Sequence, residues 1–147
     1  MKQSIWERLM IERLRTIEVK QAAYTSIQDQ IVALKERAYD LKGPVLSSIP
    51  ISGSGGNREE TRRLNNIALK EELEKNITRL EADVHLHERT WAKLSPKEQT
   101  VLQSFYLNRP RNHVLKLMQL FHCEQATVYR IKDEALYKLT MLTYGSS

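Results

Sequence analysis

Gln125, Tyr129 and Arg130 are side chains of types that can bind nucleic-acid bases, and their spacing places them on one side of a helix. Glutamine forms paired hydrogen bonds with adenine and arginine forms them with guanine, so these residues suit base edges in duplex DNA. Positions 126 and 133 fall on the same side. The opposite side carries only apolar residues, which are Val128, Ile131, Ala135 and Leu139. We therefore expect this helix to be buried along one face and to contact DNA with the other.

A second short helix is expected to hold this one at a fixed angle. Apolar residues suited to that contact precede a predicted turn at His122-Cys123, and they are Val114, Leu117, Met118 and Phe121. Before them, Ser95-Pro96-Lys97-Glu98 predicts the start of another helix, with a serine cap, proline in the first turn and glutamate three residues after the cap. Asn108-Arg109-Pro110 ends that helix. Three short helices with a tight turn between the last two form a helix-turn-helix unit, whose last helix fits the DNA major groove.

Cations and polar side chains cluster where the middle helix of this unit begins. The residues expected to contact phosphate there are Arg109, Arg111, Asn112, His113 and Lys116. Backbone N–H groups at helix N-termini, together with cations, commonly bind phosphate. Residues 95–147 carry seven basic and four acidic side chains, a surplus that gives weak further support for a polyanionic partner.

The segments LSPKEQTVLQSFYLN and QLFHCEQATVYRIKDEALYKL resemble the helix-turn-helix of bacterial sigma factor region 4, the domain that reads an upstream promoter element. The similarity covers about residues 94–139. The layout of the whole chain is similar to the ArpU/RinA-type phage transcriptional regulators: a long helix, a Pro/Gly/Ser loop, a second long helix and then this unit. The recognition helix of the family usually opens with Ser or Thr, whereas this chain has Glu124, a poorer N-cap.

The resemblance implies residue roles and a biological function. It places base-facing positions at Gln125, Ala126, Tyr129 and Arg130; of the flanking residues, Thr127 joins the base-facing set and Lys132 the phosphate set. It implies a sequence-specific DNA-binding transcriptional regulator that activates phage late genes, such as those for packaging or lysis. Double-stranded DNA and host RNA polymerase are the implied partners.

Two long helices are expected before residue 95. Apolar residues recur at steps of three and four over residues 4–41, and a heptad repeat follows at Leu69, Leu73, Ile77, Leu80, Val84, His87, Trp91 and Leu94. Residues 42–57, rich in Gly, Ser and Pro, form a predicted flexible linker between the two helices. We expect an all-α fold in which residues 1–94 form a long antiparallel helical hairpin, a coiled-coil stem, and residues 95–147 form the helix-turn-helix domain.

The apolar stripe of the stem allows a second arrangement. A parallel coiled coil between two chains would bury the same residues as a hairpin within one chain. We expect the chain to form a homo-oligomer, as a dimer through the stem helices, because one helix-turn-helix unit offers few base contacts.

Few residues indicate catalysis, a metal or a cofactor. Cys123 is the one cysteine, so no disulfide can form within the chain. His85 and His87, two residues apart on a helix, point about 200° away from each other and cannot hold one ion. No nucleophile–base set or phosphate-binding glycine loop stands out, so we expect no enzyme activity, no metal and no cofactor. The N-terminus lacks an apolar signal region and no segment approaches a membrane span, so we expect a cytoplasmic protein. The resemblance to phage regulators implies that this cytoplasm is that of a bacterial host cell.

Two other functions fit the same pattern. A coiled-coil adaptor would bind RNA polymerase or a sigma factor without contacting DNA. A small terminase-like subunit for DNA packaging would also join a helix-turn-helix unit to long helices, and it would assemble into rings.

Overall fold

The computed structural model describes residues 3–41 and 55–147, and every regular element among them is helical. The elements are α1 (Ile5–Leu41), α2 (Gly55–Trp91), α3 (Pro96–Leu102), a π-helical turn (Gln103–Leu107), α4 (His113–Phe121) and α5 (Gln125–Tyr144). The predicted all-α class is therefore confirmed. Most of the predicted linker, residues 42–54, lies outside the described residues, and its last three positions belong to the first turn of α2.

The start of α3 has the predicted capping arrangement. Ser95 Oγ accepts a hydrogen bond from the Glu98 N–H at 3.2 Å, and Glu98 Oε1 accepts one from the Ser95 N–H at 3.0 Å. Pro96 stands in the first helical turn, where its missing N–H costs no intrahelical bond. The same Glu98 Oε1 lies 3.1 Å from Lys138 Nζ, so the cap also joins α3 to α5.

The chain divides into two compact units, one formed by residues 1–20 with 83–147 and the other by residues 21–82. This division differs from the predicted one at residue 94. The reason is the apolar start of α1, where Met10, Ile11 and Leu14 are buried in a common core with Leu136 and Leu139 of α5. The helix-turn-helix thus shares its core with residues from the beginning of the chain.

Within the first unit, the start of α1 and the end of α2 pack antiparallel. Lys20 Nζ lies 3.2 Å from a carboxylate oxygen of Asp83 in α2. Met10, earlier in α1, shares a core with Trp91 and Leu94, which come later in the chain than Asp83. Arg13 binds the same Asp83 carboxylate at 3.3 Å and also donates to its backbone carbonyl oxygen. Here the predicted antiparallel packing forms within one chain.

The second unit contains its own small apolar cluster. Ile31 and Leu34 of α1 are buried with Leu73 of α2, and Ile27 and Ile77 pack against them. Leu69, the first position of the predicted heptad repeat, is instead exposed. The repeat therefore predicts the buried positions of α2 only from Leu73 onwards.

Candidate nucleic-acid interface

A second apolar cluster lies within the helix-turn-helix, beside the core that it shares with the start of α1. Val101, Leu117, Val128 and Ile131 are buried together, and Phe105, Val114, Met118, Phe121 and Cys123 pack around them. The connection between α4 and α5 is tight because His122 adopts a left-handed conformation, with φ of 50°. Residues of α3, the π-helical turn and α4 thus cover one face of α5, the face that the apolar spacing predicts to be buried.

The base-facing residues lie on the open face of the first two turns of α5. Gln125, Ala126, Tyr129 and Arg130 are exposed, and Thr127 is half-buried beside them. Val128, in the middle of this run, is fully buried. Because α5 is anchored through Val128 and Ile131, the exposed residues are held by a helix that cannot turn about its axis without opening the core.

The N-terminus of α5 has no side-chain cap. Glu124 occupies the N-cap position with extended backbone, and its carboxylate makes no capping hydrogen bond. The first backbone N–H groups of an α-helix lack partners within the helix. In this chain the first N–H groups of α5, at the exposed Gln125 and Ala126, are available as hydrogen-bond donors to a ligand.

A ring cluster fixes the position of Tyr129. The Phe105 ring meets the Tyr129 ring edge to face with centroids 5.7 Å apart, and it meets His113 in the same way at 4.7 Å. Phe105 belongs to the π-helical turn after α3, an element that the regular three-and-four spacing did not predict. The residue spacing alone gives no sign that Phe105 connects α5 with the start of α4.

Lys132 is placed differently from the rest of the predicted phosphate set. Its side chain is only 14% exposed, and its Nζ lies 2.7 Å from Asp133 Oδ1. The same ammonium group lies 5.6 Å from the Phe105 ring centroid and 5.7 Å from that of Tyr129, within the range of cation–π attraction. Lys132 therefore supports the ring cluster, and a phosphate contact would have to compete with these interactions.

The other predicted phosphate residues surround the start of α4. Arg109, Arg111, Asn112 and Lys116 are exposed. Asn112 is the N-cap of α4 and has a left-handed backbone with φ of 58°, so the chain turns sharply there and brings the two arginines to the helix N-terminus. This group combines cations with unpaired helical N–H groups, the arrangement that suits an anion.

His113 differs from these residues because it is half-buried and uncharged at neutral pH. Burial lowers the pKa of its imidazole below the ordinary value of 6.5, and the nearby Arg109 guanidinium lowers it further. Arg109 Nε donates to His113 Nδ1 at 3.5 Å. His113 thus orients Arg109 and contributes no positive charge of its own.

Comparisons with known proteins return no match. No protein-family model, no curated protein and no solved structure matches this chain. The resemblance to sigma factor region 4 and to the ArpU/RinA-type regulators stays a prediction from the quoted residues, and so do the functions that it implies.

The remaining candidate residues for chemistry lie apart from this surface. His87 is buried against Trp91, and within residues 3–41 and 55–147 no three His, Cys, Asp or Glu side chains are grouped so that they could hold a metal ion. Over the same residues, no helix is both long and apolar enough to cross a bilayer. Cys123 is half-buried at the turn, where it packs against the core of the helix-turn-helix.

Proposed function

We propose that this protein is a sequence-specific DNA-binding transcriptional regulator, with the first two turns of α5 lying in the major groove. The observation that supports this most strongly is the two-sided character of α5. One face is closed by the helix-turn-helix core, and the other presents Gln125, Tyr129 and Arg130 to solvent. An α-helix fits the major groove, and these residue types pair with base edges there.

Each exposed residue is suited to contact a different base. Arg130 is suited to the O6 and N7 acceptors of guanine, and Gln125 to the N6 donor and N7 acceptor of adenine. Ala126 and the Tyr129 ring offer apolar surface to a thymine methyl group, with Thr127 at the edge of the set. The contacts of Tyr129 with Phe105 and Lys132 limit the motion of its ring before DNA arrives, which lowers the entropic cost of ordering it.

The start of α4 supplies contacts to the DNA backbone. Arg109, Arg111 and Lys116 carry the charge there, and Asn112 adds a polar side chain beside the helix N-terminus. Such contacts set the register of the protein on the duplex without reading sequence. Asp133 and Glu134 are exposed on α5 and would be repelled by phosphate, so we place them away from the backbone strands.

The biological role in this proposal comes from the resemblance. A helix-turn-helix similar to sigma region 4, preceded by two long helices, suits an activator of phage late genes that acts in the cytoplasm of a bacterial host. Host RNA polymerase is then the natural protein partner at the promoter.

Substitution of single residues tests the DNA contact. The full chain is used to select bound sequences from a random duplex pool, and the dissociation constant for the selected site is measured by fluorescence anisotropy. Each paired base contact contributes about 1–3 kcal/mol, so Arg130→Ala and Gln125→Ala should each weaken binding by about 5- to 150-fold. Arg109→Ala and Lys116→Ala should weaken binding to all sequences and make its dependence on salt shallower.

Arg37 is the matched control, because it is an exposed arginine of the other compact unit. Arg37→Ala should leave the selected site bound as tightly as by the unaltered chain. Equal binding of the selected and scrambled duplexes, or indifference to both Arg130→Ala and Gln125→Ala, would contradict the proposal and favour the adaptor function.

A further inference from the structure

Exposed apolar residues from α1 and α5 meet beside the helix-turn-helix. Trp6 and Tyr144 join the two sets, with ring centroids 5.4 Å apart. Residues three, four and seven positions apart share a helix face. Tyr137 and Met141 therefore lie on the same face of α5 as Tyr144, and Leu9 shares a face of α1 with both Ile5 and Trp6. We name this surface the apolar patch, and its residues are Ile5, Trp6, Leu9, Tyr137, Met141 and Tyr144.

The patch has the size of the apolar centre of a protein interface. Excluding the half-buried Tyr144, its members are 38–68% exposed. With full areas of roughly 150–250 Å² for large side chains, they present on the order of 500 Å² of apolar surface. A stable interface buries about 800 Å² on each partner, of which about 56–65% is apolar. The patch therefore supplies the apolar share of one such interface and leaves the usual share for a polar rim.

The end of α5 that carries Met141 and Tyr144 contains no charged residues. Residues 139–147 contain no Asp, Glu, Lys or Arg. Lys138, the last charged residue before them, is bound to Glu98 through the 3.1 Å contact. Depletion of charge together with enrichment in aromatic residues and methionine is the composition of interface centres, and Trp6, Tyr137 and Met141 fit it.

The buried part of the stem stripe already has partners within the chain. Ile31 and Leu34 pack with Leu73 in the second unit, and Ile17 and Val84 are buried in the first. These residues do not require a second chain to cover them. The expected dimer contact through that stripe is therefore less favourable than a contact through the exposed apolar patch.

We propose that the apolar patch is the contact surface of a two-fold dimer of this chain. In such a dimer the same patch on each copy faces the other, so an apolar, aromatic-rich surface is complementary to itself. Tyr137, the patch residue nearest to Arg130, lies seven residues beyond it, about 10 Å along the helix axis. Because the dimer is measured without DNA, the failure of this dimer and the failure of the proposed DNA contact are distinguishable.

Sedimentation equilibrium of the full chain tests this dimer directly. Without DNA, the protein should show twice its chain mass of 17.2 kDa, with dissociation on dilution. Tyr137→Glu and Met141→Glu place a charge at the centre of the contact, and each should raise the dimer dissociation constant at least tenfold, by about 1.4 kcal/mol or more. Both positions are exposed in the single chain, so circular dichroism should show unchanged helicity.

Two matched controls place a glutamate at exposed leucines outside the apolar patch. Leu120→Glu lies on α4 and Leu64→Glu on α2, and both variants should remain dimeric. In a Trp91→Phe background, Trp6 is the remaining tryptophan, and its emission should shift to shorter wavelength as the dimer forms. A monomer at concentrations up to about 100 µM, a ring of more than two copies, or a dimer lost in Leu64→Glu but kept in Met141→Glu would overturn the proposal.

Discussion

His87 illustrates how one side chain can link stability to pH. Its imidazole is 6% exposed, its Nδ1 makes no hydrogen bond within the described part of the chain, and its ring stacks on Trp91 with centroids 5.2 Å apart. Burial lowers the pKa of His87 from the ordinary 6.5, the Arg13 guanidinium lowers it further, and the Glu88 carboxylate opposes them. The folded protein therefore holds His87 in its neutral form.

This state of His87 predicts a loss of stability in acid. Because the folded pKa lies below the unfolded value, the unfolded chain binds a proton first, and stability rises with pH in this range. The contribution of neutral His87 to the free energy of unfolding is complete above about pH 6.5 and is lost as the pH falls through the folded pKa. Urea unfolding measures the free energy of unfolding at about pH 7.5 and at about pH 5.5. Between these two pH values it should fall more for the unaltered chain than for His87→Gln.

His113→Gln is the comparison for this experiment. The pKa of His113 is lowered as well, but its side chain is only half-buried, so its removal should flatten the pH dependence less than His87→Gln does. An identical pH dependence of the unaltered chain and His87→Gln would show that the neutral, buried state of His87 is not what acid disrupts.

Among the helices, the starts are where the sequence predicts the structure best. The Ser95–Glu98 capping box forms where the residue types predict it, and α5 starts shortly after the turn predicted at His122-Cys123. Caps and turns depend on a few neighbouring residues, and the apolar spacing within one helix is likewise local. The extent of α1, the turn before α5 and the open face of α5 could therefore be read from the sequence.

The π-helical turn and the contacts of Lys132 could not be predicted in the same way. A π-helical turn contains one extra residue, so it shifts the residues after it relative to the regular spacing. Phe105 lies in that turn and comes next to Tyr129 and Lys132 only through tertiary folding. The sequence pattern around Lys132 matches an exposed flanking cation, and only its packing against Phe105 shows otherwise.

The capping box of α3 predicts a measurable loss of stability. Ser95→Ala removes the bond from the Glu98 N–H and should lower the free energy of unfolding by about 1 kcal/mol, within a usual range of about 0.5–2 kcal/mol. Ser26→Ala is the control, because Ser26 is exposed inside α1 and its hydroxyl accepts a hydrogen bond from the exposed Gln30 side chain. Its effect should stay within about 0.5 kcal/mol. Equal effects of the two substitutions in urea unfolding would show that the cap adds nothing.

At the scale of the whole molecule, the start of the chain belongs to the same compact unit as the helix-turn-helix. An apolar stripe on a helix shows that the helix must be covered but does not identify the covering element. The first four turns of α1 could have paired with α2 alone, as the hairpin prediction assumed. Met10, Ile11 and Leu14 instead also cover Ala135, Leu136 and Leu139 of α5, the helix on which the residues predicted to contact bases lie.

This shared core predicts that a substitution near the start of the chain destabilises α5. Leu14 is fully buried, so Leu14→Ala should lower the free energy of unfolding by about 2–5 kcal/mol. Hydrogen exchange at the backbone amides of Leu136 and Leu139 should accelerate together with that loss, because both residues lie in the same cooperative core. Val19→Ala, at a position that is 71% exposed on the same helix, should change neither quantity measurably. If Leu14→Ala accelerated exchange in α1 and α2 but left α5 protected, residues 95–147 would fold as an independent domain, and the start of α1 would be an accessory to the helix-turn-helix.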